Sequence, residues 1–187
     1  GRLARKHKLP VWLTAGTLAM AQDLDGVAVR VIDSHEPFAV DDLEIQPFPV
    51  PHDAREPVQY VFGDGDRRLG VLTDVGCSTP HIETMLAGVD ALVLECNHDA
   101  AMLENGPYPA SLKRRVGGRF GHLENGQSAA LLEKLKHQKL QCVMAAHVSR
   151  KNNTAALAKR ALARVLNCAD DDVRVACQTA GFDWIRI

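Results

Sequence analysis

The chain has 187 residues, of which 46% are hydrophobic and 24% charged; this composition is typical of one globular domain and excludes a disordered or fibrous protein. The formal net charge of −1 excludes a global basic field, so any nucleic acid binding must come from a local patch. Five cysteines without a C-x-x-C pair indicate small core residues in a reducing compartment, which predicts a cytoplasmic protein. No apolar run approaches the length of a membrane span, so no membrane partner is expected.

The first half of the chain predicts short strands joined by turns. The pattern predicts a helix over 2–8 and a helical turn over 17–22 that is capped by Thr17. Gly and Asp residues at 63–66 predict a turn, and the strands on either side of it are expected to form a hairpin. The predicted strands of this half span 11–14, 27–32, 43–50, 58–62 and 68–73.

The second half alternates helices with strands. Predicted helices span 79–86, 100–104, 109–115 and 125–136, and a last one runs from a cap at Asn152 or Asn153 to 166. Predicted strands span 91–96, 141–146, 173–177 and 182–187. Hairpins followed by alternating elements imply either sheet packed on sheet with helices outside or an α+β layer fold.

Three residues are the best candidates for metal ligands: His52, Asp74 and His147. Each follows an apolar strand, and strand ends of a layered α/β protein converge on one edge. Imidazole nitrogen and carboxylate oxygen suit zinc, manganese or iron. A carboxylate that bridges two cations would help them hold a water and lower its pKa. The alternative is two loop histidines and a turn aspartate with no shared role.

His122 is the candidate general acid. It lies in a glycine-flanked loop, and histidine titrates near neutrality, so it could protonate a leaving group. The alternative is an exposed loop histidine.

Three polar residues crowd the end of a buried strand: Glu95, Asn97 and His98. One of them would orient a metal-binding histidine from behind, or Glu95 would simply accept hydrogen bonds from nearby backbone.

Cationic and hydroxyl side chains near these positions predict a phosphate-binding surface. A basic cluster leads directly to the His122 loop, and a second polar segment lies at a predicted helix N-terminus, which favours phosphate. The alternatives are complementing a helix dipole and capping a helix. The residues predicted to hold phosphates are Lys113, Arg114, Arg115, Ser149, Arg150 and Asn153.

Taken in order, seven motifs resemble the metallo-β-lactamase fold superfamily, and most of all its branch of YycJ/WalJ-like predicted exonucleases. The likeness covers nearly the whole chain. The motifs span 13–17, 48–54, 72–76, 91–99, 108–115, 121–125 and 146–153.

The resemblance implies an αββα sandwich with two divalent metals, zinc or manganese, at one edge. His52 would then ligate one metal, Asp74 would bridge both, and His147 would ligate the other. His122 matches the histidine that phosphodiesterase branches such as ribonuclease Z place near the scissile phosphate. The implied reaction is phosphodiester hydrolysis by metal-bound hydroxide, with DNA rather than RNA as partner, as in a 5′-to-3′ exonuclease.

One departure from the family is large, because its H-x-H-x-D-H motif is absent. In relatives that motif lies just before the helix that here ends near Lys8, and Gly1 is not a methionine. We therefore expect 1–187 to be a single, N-terminally incomplete domain that lacks its first strands and first metal motif. It would bind metal weakly or not at all and be inactive alone, whereas the full-length protein would be the active enzyme. Exposed sheet edges would favour homodimers of such a fragment.

Two other functions remain open from the sequence. A small-molecule phosphodiesterase of the cyclic-phosphate branch needs no extended basic groove, so its substrate binding would depend weakly on salt. A non-catalytic remnant of the fold would instead bind a partner or regulate a pathway, and it would hold no metal in its full-length form.

Overall fold

A computed structural model describes residues 1–187 and contains a seven-stranded sheet beside a two-stranded one. The two-stranded sheet is the parallel pair Val11–Thr14 (β1) and Val29–Ile32 (β2). The larger sheet has its strands in chain order, β3 to β9. These strands span Phe38–Val40, Leu43–Pro49, Val58–Gly63, Arg68–Leu72, Ala91–Glu95, Cys142–Ala146 and Arg174–Val175.

Seven α-helices and a short 3-10 helix at Asp170–Asp172 complete the structure, and no helix is long and apolar enough to cross a bilayer. The α-helices span Arg2–His7 (α1), Ala15–Met20 (α2), Pro80–Leu86 (α3), Ala100–Asn105 (α4), Ala110–Val116 (α5), Asn125–Leu135 (α6) and Ala155–Leu166 (α7).

The core lies between one face of the large sheet and helices α3, α6 and α7. Leucines from β6 and β7 and from α6 are almost fully buried in one cluster, which also holds Leu162 of α7. Gly70 lets α3 approach the sheet closely, because a Cβ at this position would lie 2.6 Å from Leu86 Cδ2. This packing fixes the strands that carry the polar residues of the site.

Strand direction brings four of the predicted site residues to one edge. β4 and β6 are both antiparallel to β5 and so run the same way, and β6, β7 and β8 are mutually parallel. His52, Asp74 and His147 therefore follow strand ends on the same side of the sheet, where Glu95 ends β7. This arrangement is the one expected from the strand-end argument.

Two predicted helix caps were wrong. α2 begins at Ala15 because the Thr14 side chain accepts from the Thr17 N–H, so Thr14 is the cap. α7 begins at Ala155, because Thr154 has extended backbone and its side chain accepts from the Leu157 N–H. Capping by Thr79 is confirmed, since its side chain accepts from the Ile82 N–H.

Other differences concern the sheet edges and the cysteines. Residues 182–187 form no strand, because they have no strand-pairing partner and Trp184 is fully exposed. β3 escaped prediction because it has only three residues. Cys96 is buried as expected, whereas Cys168 and Cys177 are exposed, and all five cysteines are free.

Candidate metal centre

Two of the predicted ligands have an unusual backbone conformation. Asp74, two residues after β6, has φ of 50°, and His147, directly after β8, has φ of 54°. This left-handed region is uncommon for residues other than glycine, and such residues cluster at functional sites. The Asp74 loop also packs closely on the His122 loop, since a Cβ on Gly76 would lie 2.2 Å from the Arg119 carbonyl oxygen.

The side chains of His52, Asp74 and His147 converge. His52 Nε2 lies 3.7 Å and His147 Nε2 lies 3.6 Å from the same oxygen, Asp74 Oδ1. The other ring nitrogens are held from behind, His52 Nδ1 by the Gly121 carbonyl oxygen at 3.0 Å and His147 Nδ1 by the Glu95 carboxylate at 2.6 Å. With Nδ1 donating to these acceptors, both Nε2 lone pairs face Asp74.

His122 lies between the other two histidines. Its ring centroid is 5.1 Å from those of both His52 and His147. Its Nδ1 lies 2.9 Å from Glu95 Oε1 and 3.8 Å from Asp74 Oδ1. The structure therefore places the predicted general acid within the same cluster as the three predicted ligands.

Glu95 is the buried anchor of the cluster. Its side chain has no exposed surface, and one carboxylate oxygen lies within 3 Å of Nδ1 of both His122 and His147. The backbone N–H groups of Asp74, Val75 and Leu123 also donate to this carboxylate. Glu95 thus fixes two histidine rings and the Asp74 loop at once, which goes beyond the single orienting contact expected from the sequence.

The same contacts decide the charge of Glu95. Burial alone would raise its pKa, but the hydrogen bonds from His122 and His147 and from the Val75 N–H outweigh burial and lower the pKa to about 2. The hydrogen bond to Glu95 in turn raises the pKa of His147, against the opposing effect of burial. The carboxylate and imidazolium forms are therefore mutually stabilised in the metal-free fold.

These shifts predict how the stability of metal-free protein depends on pH. The Glu95 pKa is lower in the folded state, so its contribution of about 3 kcal/mol is present above pH 4.5 and is lost as pH falls toward 2. The His147 pKa is raised, so its contribution is present below pH 6.5 and is lost as pH rises through the folded value. We expect urea unfolding in EDTA to show both losses.

Glu95→Gln provides the comparison for that measurement. Glutamine cannot ionise, so the acid-side loss of unfolding free energy should become smaller in this variant. Identical pH profiles for the wild-type chain and Glu95→Gln would contradict the assigned role of the carboxylate.

The two neighbours of Glu95 that were predicted with it differ in their contacts. The Asn97 side-chain amide donates to the His147 carbonyl oxygen at 3.0 Å and so supports the left-handed turn there. His98 is buried, and its Nδ1 has no hydrogen-bond partner. It contacts none of the clustered histidines by a hydrogen bond, so the structure gives it no orienting role.

The cationic cluster before the His122 loop is largely used within the protein. Lys113 Nζ donates to the Glu104 carbonyl oxygen at 2.6 Å and joins α5 to the end of α4. Arg115 pairs with the Asp53 carboxylate and lowers the pKa of that carboxyl. Of the three residues here predicted to hold phosphate, Arg114 is exposed and forms no ion pair, so it remains free for phosphate.

The second predicted phosphate segment lines a cleft of about 920 Å³ that also contains His122 and His147. Ser149 and Arg150 lie on its wall, and their contacts with substrate stay a prediction. Asn153 also lines it, but its side-chain amide is buried and bonded to the Cys96 carbonyl oxygen and to Asn125. The structure therefore gives Asn153 a role in holding two loops together.

Sequence reasoning missed Asp53. Its Oδ1 lies 3.5 Å from His52 Nε2, and its other oxygen pairs with Arg115. The adjacency of His52 and Asp53 was visible, but the pairing that links them to α5 depends on the fold. Asp53 thus connects the metal-ligand candidate to the predicted cationic cluster.

The donor set fits a divalent metal. Two ligands of one tetrahedral Zn²⁺, each bound at about 2.1 Å, are about 3.4 Å apart. The 3.6 and 3.7 Å separations between Asp74 Oδ1 and the two histidine Nε2 atoms are close to that value. Asp74, Glu95, His122 and His147 also offer ligand atoms within 4.8 Å of one another. Since Glu95 already accepts five hydrogen bonds, it acts behind the ligands.

Comparison with known proteins identifies the family. The family model described as a beta-lactamase superfamily domain matches residues 2–144. Exodeoxyribonuclease YycJ of Bacillus anthracis is 34% identical over 172 residues, which cover 89% of this chain and 64% of that protein. Exodeoxyribonuclease WalJ of Streptococcus pneumoniae is 27% identical over 181 residues, 94% of this chain and 67% of that protein. The chain therefore spans just under two thirds of YycJ.

A solved structure shows the same fold. The metallo-beta-lactamase fold protein YhfI of Bacillus subtilis superposes with a TM-score of 0.71 at 13% sequence identity, over 98% of this chain and 68% of that protein. The predicted sandwich architecture is thus confirmed at the level of fold. With the family match and the relatives above, the chain belongs to the beta-lactamase superfamily, in the branch that includes YycJ and WalJ.

Proposed function

We propose that the protein is a metal-dependent phosphodiesterase that acts on DNA. The observation that carries this proposal is the convergence of His52 Nε2 and His147 Nε2 on Asp74 Oδ1, with both Nδ1 atoms held from behind. The relatives named exodeoxyribonucleases support DNA as the substrate.

His52, Asp74 and His147 would hold the metal. A divalent cation bound there would supply Lewis-acid chemistry and would lower the pKa of a bound water to near neutrality. Asp74 is half-exposed at the centre of the cluster, so its carboxylate is accessible. We propose two zinc or manganese ions in the full-length protein, with Asp74 among the residues that would hold them.

Other side chains of the site would bind the substrate and move a proton. His122 lies where it can deliver a proton to the leaving oxygen, and its position is fixed by the contact with Glu95. Arg114 and Arg150 are exposed cations, and Arg150 lines the cleft that contains His122 and His147, so both are candidates to contact phosphates. Ser149 lines the same cleft as Arg150 and offers a hydroxyl to a phosphate oxygen.

The test is hydrolysis of a labelled single-stranded DNA by the protein at its natural length. Zinc or manganese should support cleavage, EDTA should abolish it, and KM should rise with salt because phosphates contact Arg114 and Arg150. A salt-independent KM with cleavage of small cyclic phosphodiesters would favour the small-molecule activity instead. An absence of hydrolysis with every metal would favour a non-catalytic binding protein.

A further inference from the structure

A single tyrosine shares the cleft with the site histidines. Tyr108 is the one Phe, Trp or Tyr side chain among the 17 residues that line it, alongside His122 and His147. Building on the function proposed above, we propose that Tyr108 is a stacking platform for an unpaired nucleobase, so that this cleft takes single-stranded rather than duplex nucleic acid.

The chain around Tyr108 makes the ring a rigid, available surface. Pro107 and Pro109 flank it, and proline restricts both its own backbone and that of the residue before it. The ring is only half-buried, and its hydroxyl makes no hydrogen bond within the protein. A fixed aromatic face loses little conformational entropy when a base stacks on it, which favours binding.

One cation lies against the ring and another lines the same cleft. Lys151 Nζ lies 5.8 Å from the Tyr108 ring centroid, over one face of the ring. Arg150, the preceding residue, lines the cleft itself. A ring that accepts a base next to cations that accept phosphates is the combination that proteins use to bind single strands.

The rest of the cleft favours a nucleotide over a cationic ligand. None of the residues lining it is an aspartate or a glutamate, and the lining segment 175–179 contains no Asp, Glu, Lys or Arg. Its volume of about 920 Å³ is at the upper end of the range for ligand pockets. Stacking requires a base that is out of the duplex, so a base-paired substrate cannot use the ring.

Binding measurements on metal-free protein separate this inference from catalysis. Fluorescence anisotropy in EDTA would give Kd values for labelled oligo(dT) and for a blunt duplex of the same length. Tyr108→Ala and Tyr108→Leu should raise the Kd for oligo(dT) by about 10-fold, because an aromatic ring that stacks on one base contributes an affinity gain of about that order. Tyr108→Phe should bind like the wild-type chain, and the Kd for the duplex should not change.

Trp184→Ala is the matched control, since this fully exposed aromatic residue is not among those that line the cleft. It should leave both Kd values unchanged. Unaltered oligo(dT) binding in both Tyr108→Ala and Tyr108→Leu would overturn the inference, as would an equal loss in Tyr108→Phe. Metal-dependent DNA hydrolysis by the wild-type protein would still support the proposed function in either case.

Discussion

In the protein at its natural length, replacing Asp74 by asparagine is expected to lower kcat/KM for DNA hydrolysis by at least about 100-fold, because the central oxygen donor loses its charge. Asparagine is the informative substitution, since Asp74 has φ of 50° and asparagine tolerates this left-handed conformation better than alanine does. The fold should therefore survive while the metal centre is lost. Steady-state kinetics with saturating metal measures the effect.

Asp66→Asn is the control for this substitution. Asp66 lies in the turn before β6, at the opposite end of the strand that leads to Asp74, and it forms no ion pair. It should retain wild-type kinetics. Turnover by Asp74→Asn within a few-fold of the wild-type value, with the same thermal midpoint, would remove Asp74 from the mechanism.

Replacing Glu95 by alanine is expected to destabilise the metal-free protein by about 3–5 kcal/mol, as removal of one partner of a buried ionic network does. Three backbone N–H groups and the Nδ1 atoms of His122 and His147 would lose their acceptor. The free energy of unfolding in urea would show the loss.

Glu95→Gln separates stability from metal binding. Glutamine keeps one acceptor oxygen, so it should retain more of the fold than alanine. Its amide group donates to a histidine nitrogen instead of accepting from it, and so favours the tautomer with a protonated Nε2 facing Asp74. We expect metal affinity to fall by about 10- to 100-fold, as measured by competition with a chelator. Equal affinities for Glu95→Gln and for the exposed control Glu36→Gln would refute the orienting role.

The ligand candidates could be predicted from the sequence because their positions follow from strand direction. Asp74, Glu95 and His147 each end or follow an apolar run, and β6, β7 and β8 are parallel. Residues at the ends of parallel strands must meet at one edge, however far apart they are in the chain. The helix that begins after Thr79 was predictable for a similarly local reason, since its cap bonds to a residue only three positions away.

The contacts that the cationic side chains of α5 make within the protein could not be predicted in this way. Lys113 and Arg115 appeared free for phosphate, but they contact the Glu104 carbonyl oxygen and Asp53, which only the packing of α5 brings near. The double contact of Glu95 with His122 and His147 likewise depends on how three loops meet. Helix α7 is capped by Thr154 rather than by the predicted Asn152 or Asn153. The Asn153 side-chain amide instead forms hydrogen bonds with Asn125 and with the Cys96 carbonyl oxygen.

Metal content tests the central claim most directly. The protein at its natural length, its Asp74→Asn variant and its Asp66→Asn control would be dialysed against zinc or manganese and measured by elemental analysis. The account predicts bound metal in the wild-type chain and in Asp66→Asn, and a clear loss in Asp74→Asn. The same metal content in all three, or none in any of them at saturating metal, would contradict a metal centre built on His52, Asp74 and His147.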